Sequence, residues 1–312
     1  MKAESKKILV TGGAGFIGSH LVDELIKEGH KVVVIDNLAS GKKENLNPKI
    51  KFYKIDICNP KIFNIFKKEK PDFVFHFAAH IEGRESIKNP ISDAKVNILG
   101  SLNVLENCRK FNVKKIIFAS SGGEIYGAAQ QIPTPETYPP RPISPYGASK
   151  LAVEKYLDAY YQLFRLPYIS LRYGNVYGSR QNQNCEAGVV AIFTNKMLKN
   201  EQPFIHGDGK QTKDYIFIED AVRATILSFK KNFNGILNIG TGKESSVLEI
   251  FYKIKELTGS EVKKKHLPLP LGGFKRGCLA VRKAKKELNW KPNYTLEEGI
   301  KKTVEWFKDY ED

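Results

Sequence analysis

The chain has 312 residues, of which 41% are hydrophobic, enough for a large core or a two-lobed molecule. No apolar run approaches the roughly 20 residues that a membrane span needs, and the amino terminus has no signal-peptide core. The net charge of +16 comes from basic residues spread along the whole chain without a nucleic-acid-binding motif. We therefore expect a lysine-rich surface, with neither nucleic acid nor membrane as a partner.

The cysteines indicate a reducing compartment. Cys58, Cys108, Cys185 and Cys278 are far apart and form no Cys-x-x-Cys pair. We therefore expect a cytoplasmic protein with no disulfide scaffold and no metal site.

The chain begins with a pattern typical of dinucleotide binding. Residues 7–11 read as a buried strand, Gly12–Gly18 as a glycine-rich turn and residues 19–28 as an amphipathic helix. A second strand, 31–35, ends in Asp36. The glycines allow a tight turn and close approach to a pyrophosphate at the helix amino terminus. Because the Asp36 carboxylate can accept ribose hydrogen bonds and would repel a 2′-phosphate, the pattern predicts NAD rather than NADP.

Strands and helices keep alternating, which predicts the fold class α/β, with a doubly wound parallel sheet of the Rossmann type. Strands are expected at 52–55, 73–77, 115–120 and 168–172, and a long helix at 92–111. Ligands of such sheets bind at the carboxyl ends of the strands. The residues expected there are Gly12, Asp36, Asp56, Ala78, Ser120 and Tyr173.

After residue 173 the pattern is less regular. We expect a loop at 182–188, a helix at 189–199, a turn-rich segment at 204–213, a helix opening at 216–220 and a strand at 236–240. Two or three helices are expected in 242–312. We assign residues 1–174 to an NAD-binding Rossmann domain to which 214–241 returns. Residues 175–213 and 242–312 are assigned to a smaller carboxy-terminal α/β substrate lobe.

The stretch Ser144–Lys150 places Tyr146 and Lys150 four residues apart at the start of a helical pattern that runs to about Phe164. Both side chains should share one face of the helix. An ammonium beside a phenol favours the phenolate, so we expect the pKa of Tyr146 to fall below its usual value. A tyrosine of that kind can exchange a proton with a sugar hydroxyl.

Taken together, the motifs resemble the extended short-chain dehydrogenase/reductase family, in its nucleotide-sugar epimerase/dehydratase group, and most closely the UDP-glucose 4-epimerases. The resemblance covers nearly the whole chain. It rests on Thr11–His20, Asp36-Asn37, His76–Ala79, Val96-Asn97, Ser120–Gly123, Tyr126-Gly127, Ser144–Lys150, Leu171–Gly178, Glu186–Val189, Gly207–Gly209 and Asn238–Gly242.

The resemblance implies NAD-dependent epimerisation of a nucleotide-diphosphate sugar at C4, through a transient 4-keto sugar, by a homodimer. It implies Tyr146, Lys150 and Ser121 as catalytic residues. The implied cofactor contacts are Gly12, Gly15, Phe16, Ile17, Gly18, Asp36, Asn37, Asp56, Ile57, Phe77, Ala78, Ala79, Asn97, Ser120, Tyr146, Lys150 and Tyr173. The implied substrate contacts are Ser121, Glu124, Tyr146, Asn175, Val189, Lys213 and Arg276.

Two departures concern the reaction. Gly122 stands where the family usually has its catalytic serine or threonine, so the neighbouring Ser121, or else Ser120, is expected to serve. Glu124 stands where relatives that act as 4,6-dehydratases or decarboxylases carry a functional glutamate. A dehydratase or decarboxylase therefore stays open as an alternative, as does a non-catalytic NAD-binding protein.

Other departures concern the nucleotide. Lys213 and Pro270 occupy the positions of two arginines that usually hold the diphosphate, while Arg276 matches a frequent family arginine. A lysine keeps the charge of an arginine but not its two-pronged geometry. His206 replaces an aromatic residue that often stacks on the base. The sugar and the nucleotide therefore stay open.

Overall fold

A computed structural model describes residues 4–183, 188–269 and 272–311 of the chain. The strands are β1 (Lys7–Thr11), β2 (Lys31–Asp36), β3 (Lys51–Lys54), β4 (Phe73–His76), β5 (Lys115–Ser121), β6 (Tyr168–Tyr173), β7 (Asn175–Tyr177), β8 (Phe204–His206), β9 (Thr212–Lys213), β10 (Tyr215–Phe217), β11 (Gly235–Ile239), β12 (Ser245–Ser246) and β13 (Lys265–Leu267).

The helices are α1 (Phe16–Lys27), α2 (Ile62–Glu69), α3 (Gly83–Lys88), α4 (Pro90–Ala94), α5 (Ser101–Lys110), α6 (Gly122–Tyr126), α7 (Pro145–Phe164), α8 (Val189–Leu198), α9 (Ile218–Lys230), α10 (Val247–Thr258), α11 (Arg282–Leu288) and α12 (Leu296–Glu311). A short 3-10 turn covers Lys43–Asn45, and a π-helical segment covers Lys95–Gly100. None of the helices within the described residues has the length and apolar character of a membrane span.

Seven of the described strands form one parallel sheet in the order β11-β6-β5-β4-β1-β2-β3. The winding direction reverses between β1 and β4, where the loops that follow the two strands diverge and leave a crevice. The predicted doubly wound α/β fold is confirmed. The strand expected at 236–240 is β11, at the sheet edge beside β6.

The sequence forms this sheet because its strands are apolar on both faces. Val32–Ile35 of β2 are all buried, as parallel strands covered by helices on both sides require. Helix α1 places Leu21, Val22 and Leu25 against one face of the sheet. A second buried cluster on the other face contains Val104, Leu105, Val153 and Leu157 from α5 and α7.

Among the described residues, the second half of the chain adds three small two-stranded sheets, β7–β10, β8–β13 and β9–β12. The segment 204–213, expected to be rich in turns, contains β8 and β9. The helix expected to open at 216–220 begins at Ile218, after the strand β10.

The long helix expected at 92–111 is confirmed, but it contains a widened turn that the sequence did not predict. The helix begins at Pro90, widens into the π-helical segment at Lys95–Gly100 and continues as α5. The Ser101 hydroxyl, at the start of α5, donates to the carbonyl of Asn97 in that segment, and the Asn97 side chain bonds the loop after β4. Apolar periodicity alone cannot reveal such a widened turn.

Candidate active site

A cleft of about 740 Å³ opens at the carboxyl ends of the sheet strands, over the crevice between β1 and β4. Apart from three residues considered below, every site residue expected from the sequence lines it. These are Gly12, Gly15, Phe16, Ile17, Gly18, Asp36, Asn37, Asp56, Ile57, Phe77, Ala78, Ala79, Ser120, Ser121, Glu124, Tyr146, Lys150, Tyr173, Asn175 and Lys213.

The glycine-rich turn is packed too closely to accept side chains. Gly12 has a φ of +73°, and a Cβ there would lie 2.6 Å from the backbone nitrogen of Ala78. A Cβ on Gly18 would lie 2.1 Å from the carbonyl oxygen of Gly12. The turn leads into α1, whose N-cap, Gly15, makes no side-chain cap. The first amide groups of the helix therefore face the cleft without a capping side chain, which fits a pyrophosphate.

An acidic group stands beside this turn, at the end of β2. The Asp36 carboxylate accepts hydrogen bonds from the backbone nitrogens of Ala14 (3.0 Å) and Leu38 (2.8 Å), so its position is fixed. The Asn37 amide donates to the Asp56 carboxylate at 2.7 Å. Carboxylate oxygens keep further lone pairs for ribose hydroxyls, so this donor set fits the adenosine end of NAD.

Helix α7 carries the tyrosine and lysine. Ser144 caps it by accepting a hydrogen bond from the Gly147 nitrogen at 3.1 Å, and Pro145 takes the first helical position. Tyr146 therefore lies in the first turn and Lys150 one turn later. The Lys150 ammonium donates to the Ala119 carbonyl at 2.8 Å and lies 5.7 Å from the centre of the Tyr146 ring.

The expectation that the pKa of Tyr146 falls is wrong for the chain alone. Burial raises the pKa of Tyr146, the charges of Glu124 and Asp93 raise it further, and a hydrogen bond involving Ser121 partly offsets them. Burial also lowers the pKa of Lys150 to about 8, although Asp93 and Glu154 oppose that shift. The sequence showed the favourable lysine but not the cost of burying a phenolate, which is the larger effect here.

The two adjacent serines at the end of β5 have different partners. The Ser120 hydroxyl donates to the Glu154 carboxylate at 2.7 Å and is buried. Ser121 is the serine that interacts with Tyr146. This geometry favours Ser121 over Ser120 as the partner of the tyrosine.

A buried ion pair that the sequence analysis did not predict joins α7 to the sheet. Glu154 and Arg172 have side chains only 1% and 3% exposed, and Arg172 bonds both carboxylate oxygens, at 3.0 and 2.5 Å. Ser120 and Ser170 also donate to Glu154. The carboxylate therefore fastens α7 to β5 and β6. Glu154 follows Lys150 by four residues and therefore lies on the same face of α7. This spacing was the feature of the sequence that could have indicated its role.

Glu124 lies in the cleft near Tyr146. Its carboxylate accepts a hydrogen bond from the Ser144 hydroxyl at 2.6 Å. It therefore connects the short helix α6 with the cap of α7, and its charge acts on both Tyr146 and Lys213.

Lys213 lines the other end of the cleft. Its ammonium lies over the ring of Phe274 and donates to the Phe274 carbonyl at 3.3 Å. Burial lowers the pKa of Lys213 to about 7, and the charge of Glu124 opposes that shift.

Three expected site residues do not line the cleft. Asn97 is buried behind it, where its side chain bonds both the nitrogen and the carbonyl of His80. Val189 packs against the core at the start of α8. Arg276 is paired with Glu244. Their binding roles stay predictions, while Pro270 and Glu186-Ala187 lie outside the described residues.

One of the cleft residues also contacts the end of β8. The Arg84 guanidinium, from α3, lies 3.3 Å from Nε2 of His206, at the end of β8. Arg84 lines the cleft, so helix α3 borders it.

Comparisons with known proteins agree with this arrangement. The model of the NAD dependent epimerase/dehydratase family matches residues 8–240. A putative UDP-glucose 4-epimerase of Methanocaldococcus jannaschii is 45% identical over 302 residues, covering 97% of this chain and 98% of that protein.

Two solved structures are similar over nearly their whole length. UDP-glucose 4-epimerase of Thermotoga maritima, with UDP-glucose, has a TM-score of 0.96 at 47% identity, covering 98% of this chain and 100% of the other. UDP-glucose 4-epimerase of Thermus thermophilus, in complex with NAD, has a TM-score of 0.94 at 40% identity, covering 97% and 99%. The expected family and its NAD dependence are confirmed: the chain belongs to the NAD dependent epimerase/dehydratase family.

Proposed function

We propose that the chain is an NAD-dependent epimerase that inverts C4 of a nucleotide-diphosphate sugar of the UDP-glucose/UDP-galactose type through a transient 4-keto sugar. The observation that carries the proposal is the meeting of Tyr146, Lys150 and Ser121 in one cleft, between the glycine-rich turn and Lys213. The relatives named as UDP-glucose 4-epimerases supply the substrate class.

The chemistry follows from the positions of these groups. When bound, NAD supplies an acceptor for the C4 hydride and one positive charge. Tyr146 would take the proton from the sugar O4 and return it later, as a general base and then a general acid. Lys150 would hold a cationic charge beside the phenol, and Ser121 would hydrogen-bond O4.

The far end of the cleft would hold the diphosphate. Asn175 and Lys213 line that end, and the Lys213 ammonium would meet the phosphate charge. The segments 175–213 and 242–312 would form the substrate lobe around it. The three expected residues that do not line the cleft would affect ligand binding only indirectly, or after a change of conformation: Asn97, Val189 and Arg276.

Glu124 supports a second candidate function on the same scaffold. Its carboxylate shares the cleft with Tyr146 and is held by Ser144. A carboxylate in that place could remove the C5 proton of a 4-keto sugar, which is the dehydratase step, or assist a decarboxylation. A non-catalytic NAD-binding protein is disfavoured, because binding alone needs no pair of tyrosine and lysine in the cleft.

One incubation separates these candidates. Purified protein is mixed with UDP-, dTDP-, GDP- and CDP-sugars without added NAD, and the products are separated and weighed by mass spectrometry. An isomer of unchanged mass, absent with Tyr146→Phe and retained with Glu124→Gln, is the expected result. Loss of water or carbon dioxide that disappears with Glu124→Gln would establish the second candidate. No turnover of any sugar would overturn both.

We also propose a homodimer joined through α4, α5 and α7. These helices and the π-helical segment expose apolar side chains that a monomer would leave in water: Ile91, Leu99, Tyr156, Leu163 and Phe164. Light scattering coupled to size-exclusion chromatography tests this. A monomeric mass at micromolar concentration would refute it.

We further propose that the protein resides in the cytoplasm. Within the described residues Cys58, Cys108 and Cys278 are free thiols, which suits a reducing compartment.

A further inference from the structure

Asp93 is a buried carboxylate at the wall of the cleft that none of the sequence motifs includes. It lies in the last turn of α4, immediately before the π-helical segment, and is only 2% exposed. Both of its oxygens are engaged: Oδ1 accepts from the Asn97 amide at 2.7 Å and Oδ2 from the Ser149 hydroxyl at 2.6 Å.

These two bonds connect the helix of the reacting residues with a loop of the cleft. Ser149 lies on α7 between Tyr146 and Lys150. Asn97 donates to the His80 carbonyl and accepts from the His80 nitrogen, both at 2.9 Å, which fixes the loop after β4. Asp93 therefore helps to hold α7 against the wall of the cleft, in addition to the contacts that Glu154 makes to β5 and β6.

Asp93 also contributes a charge. The hydrogen bonds described for it come from an amide and a hydroxyl, both neutral, so they stabilise its negative charge without cancelling it. Glu154, in contrast, is paired with Arg172. The Asp93 charge raises the pKa of Lys150 and of Tyr146. Glu154, on α7 itself, also raises the pKa of Lys150, and Glu124 acts on Tyr146 from α6.

We propose that Asp93 is a positioning residue for the reacting pair: its hydrogen bonds to Asn97 and Ser149 help to place α7, and its buried negative charge acts on the Lys150 ammonium. The proposal rests on the proposed function for the role of that ammonium, but the charge effect itself does not depend on turnover. A neutral Lys150 would lose its electrostatic effect on the phenol.

Matched variants separate the charge from the hydrogen bond. Asp93→Asn removes the charge and keeps the size of the side chain. Ser149→Ala removes one hydrogen bond to Asp93 and keeps the charge. Asp93→Ser is a second neutral variant in case Asp93→Asn folds poorly, and thermal unfolding of each protein reports whether it is folded.

The primary readout is the titration of Lys150 in the full chain without substrate, followed by NMR of ¹³C-labelled lysine. The Lys150 signal is the one that disappears in Lys150→Met. The wild-type midpoint is expected near pH 8. In Asp93→Asn it should fall by about one pH unit, as loss of an opposite charge at short range predicts, while Ser149→Ala should leave it nearly unchanged.

A second readout is the pH profile of kcat. The alkaline limb of Asp93→Asn should move to lower pH by the same amount as the lysine midpoint. An unchanged Lys150 midpoint in both neutral variants, or an equal change in Ser149→Ala, would overturn the charge role. A shifted midpoint without any epimerase activity would support the inference while refuting the proposed function, so the two failures are distinguishable.

Discussion

Raising the pH above about 7 should weaken the binding of UDP-glucose, because Lys213 then loses its proton. The free chain holds this half-buried lysine over the Phe274 ring, and its desolvation there lowers its pKa from 10.5 to about 7. The ammonium is the form that attracts a diphosphate. Below pH 7 it is already present, so the affinity should change little there.

Above pH 7 the affinity should fall as the pH rises, because binding must first return a proton to the lysine. Each pH unit then costs about 1.4 kcal/mol, or roughly tenfold in Kd, until the pKa of Lys213 in the complex is reached. Between pH 7 and pH 9 the loss should be at most about 100-fold. The nearby charge of Glu124 works in the opposite direction by favouring the ammonium.

Isothermal titration calorimetry with UDP-glucose measures this, in a Tyr146→Phe background so that the sugar is not converted. Buffers of different ionisation enthalpy report the proton taken up. The control is Lys213→Arg, because a guanidinium stays charged throughout the range. The pKa of Lys150 is also lowered, to about 8, but Lys150 is present in both proteins and therefore contributes equally to their pH dependence. Equal pH dependence in the two proteins, or none in the wild type, would refute the reasoning.

Three further changes test other parts of the structure. Asp36→Ala should weaken NAD binding and relax discrimination against NADP; unchanged affinities for both, measured by fluorescence titration, would contradict the ribose assignment. Glu154→Gln should reduce the free energy of unfolding in urea by about 3–5 kcal/mol, since it leaves the buried Arg172 charge unpaired, and a loss below about 1 kcal/mol would be the contrary result. Leu163→Glu should shift the protein from dimer to monomer in light scattering, because Leu163 is 72% exposed on α7; a persistent dimer would place the interface elsewhere.

The sequence predicted well those features that depend on local pattern. The glycine-rich turn, the acid after β2 and the tyrosine–lysine spacing each carry a local geometric requirement, so their meeting in one cleft could be anticipated. The parallel sheet followed from the alternation of strands and helices. The widened turn at Lys95–Gly100 could not be predicted. A helix that contains one extra residue in a single turn has nearly the same apolar periodicity as a regular α-helix.

Features that depend on contacts between distant segments could not be predicted. The pKa of Tyr146 is governed by how many neighbours cover it, which a motif does not reveal. Arg276 matched a family position, yet Glu244, which pairs with it, is 32 residues away in the chain. Asp93 matters because Ser149, 56 residues later, folds against it.

The buried pair of Glu154 and Arg172 has a consequence for how this chain can vary. Either residue alone would leave an uncompensated charge inside the protein, whereas two apolar side chains of similar volume could replace both at little cost. Changes at these positions therefore have to occur together, and libraries of single substitutions will score both as intolerant. Redesign of this helix face, for instance to admit a bulkier sugar, should treat Glu154 and Arg172 as one unit, together with the two serines that donate to Glu154.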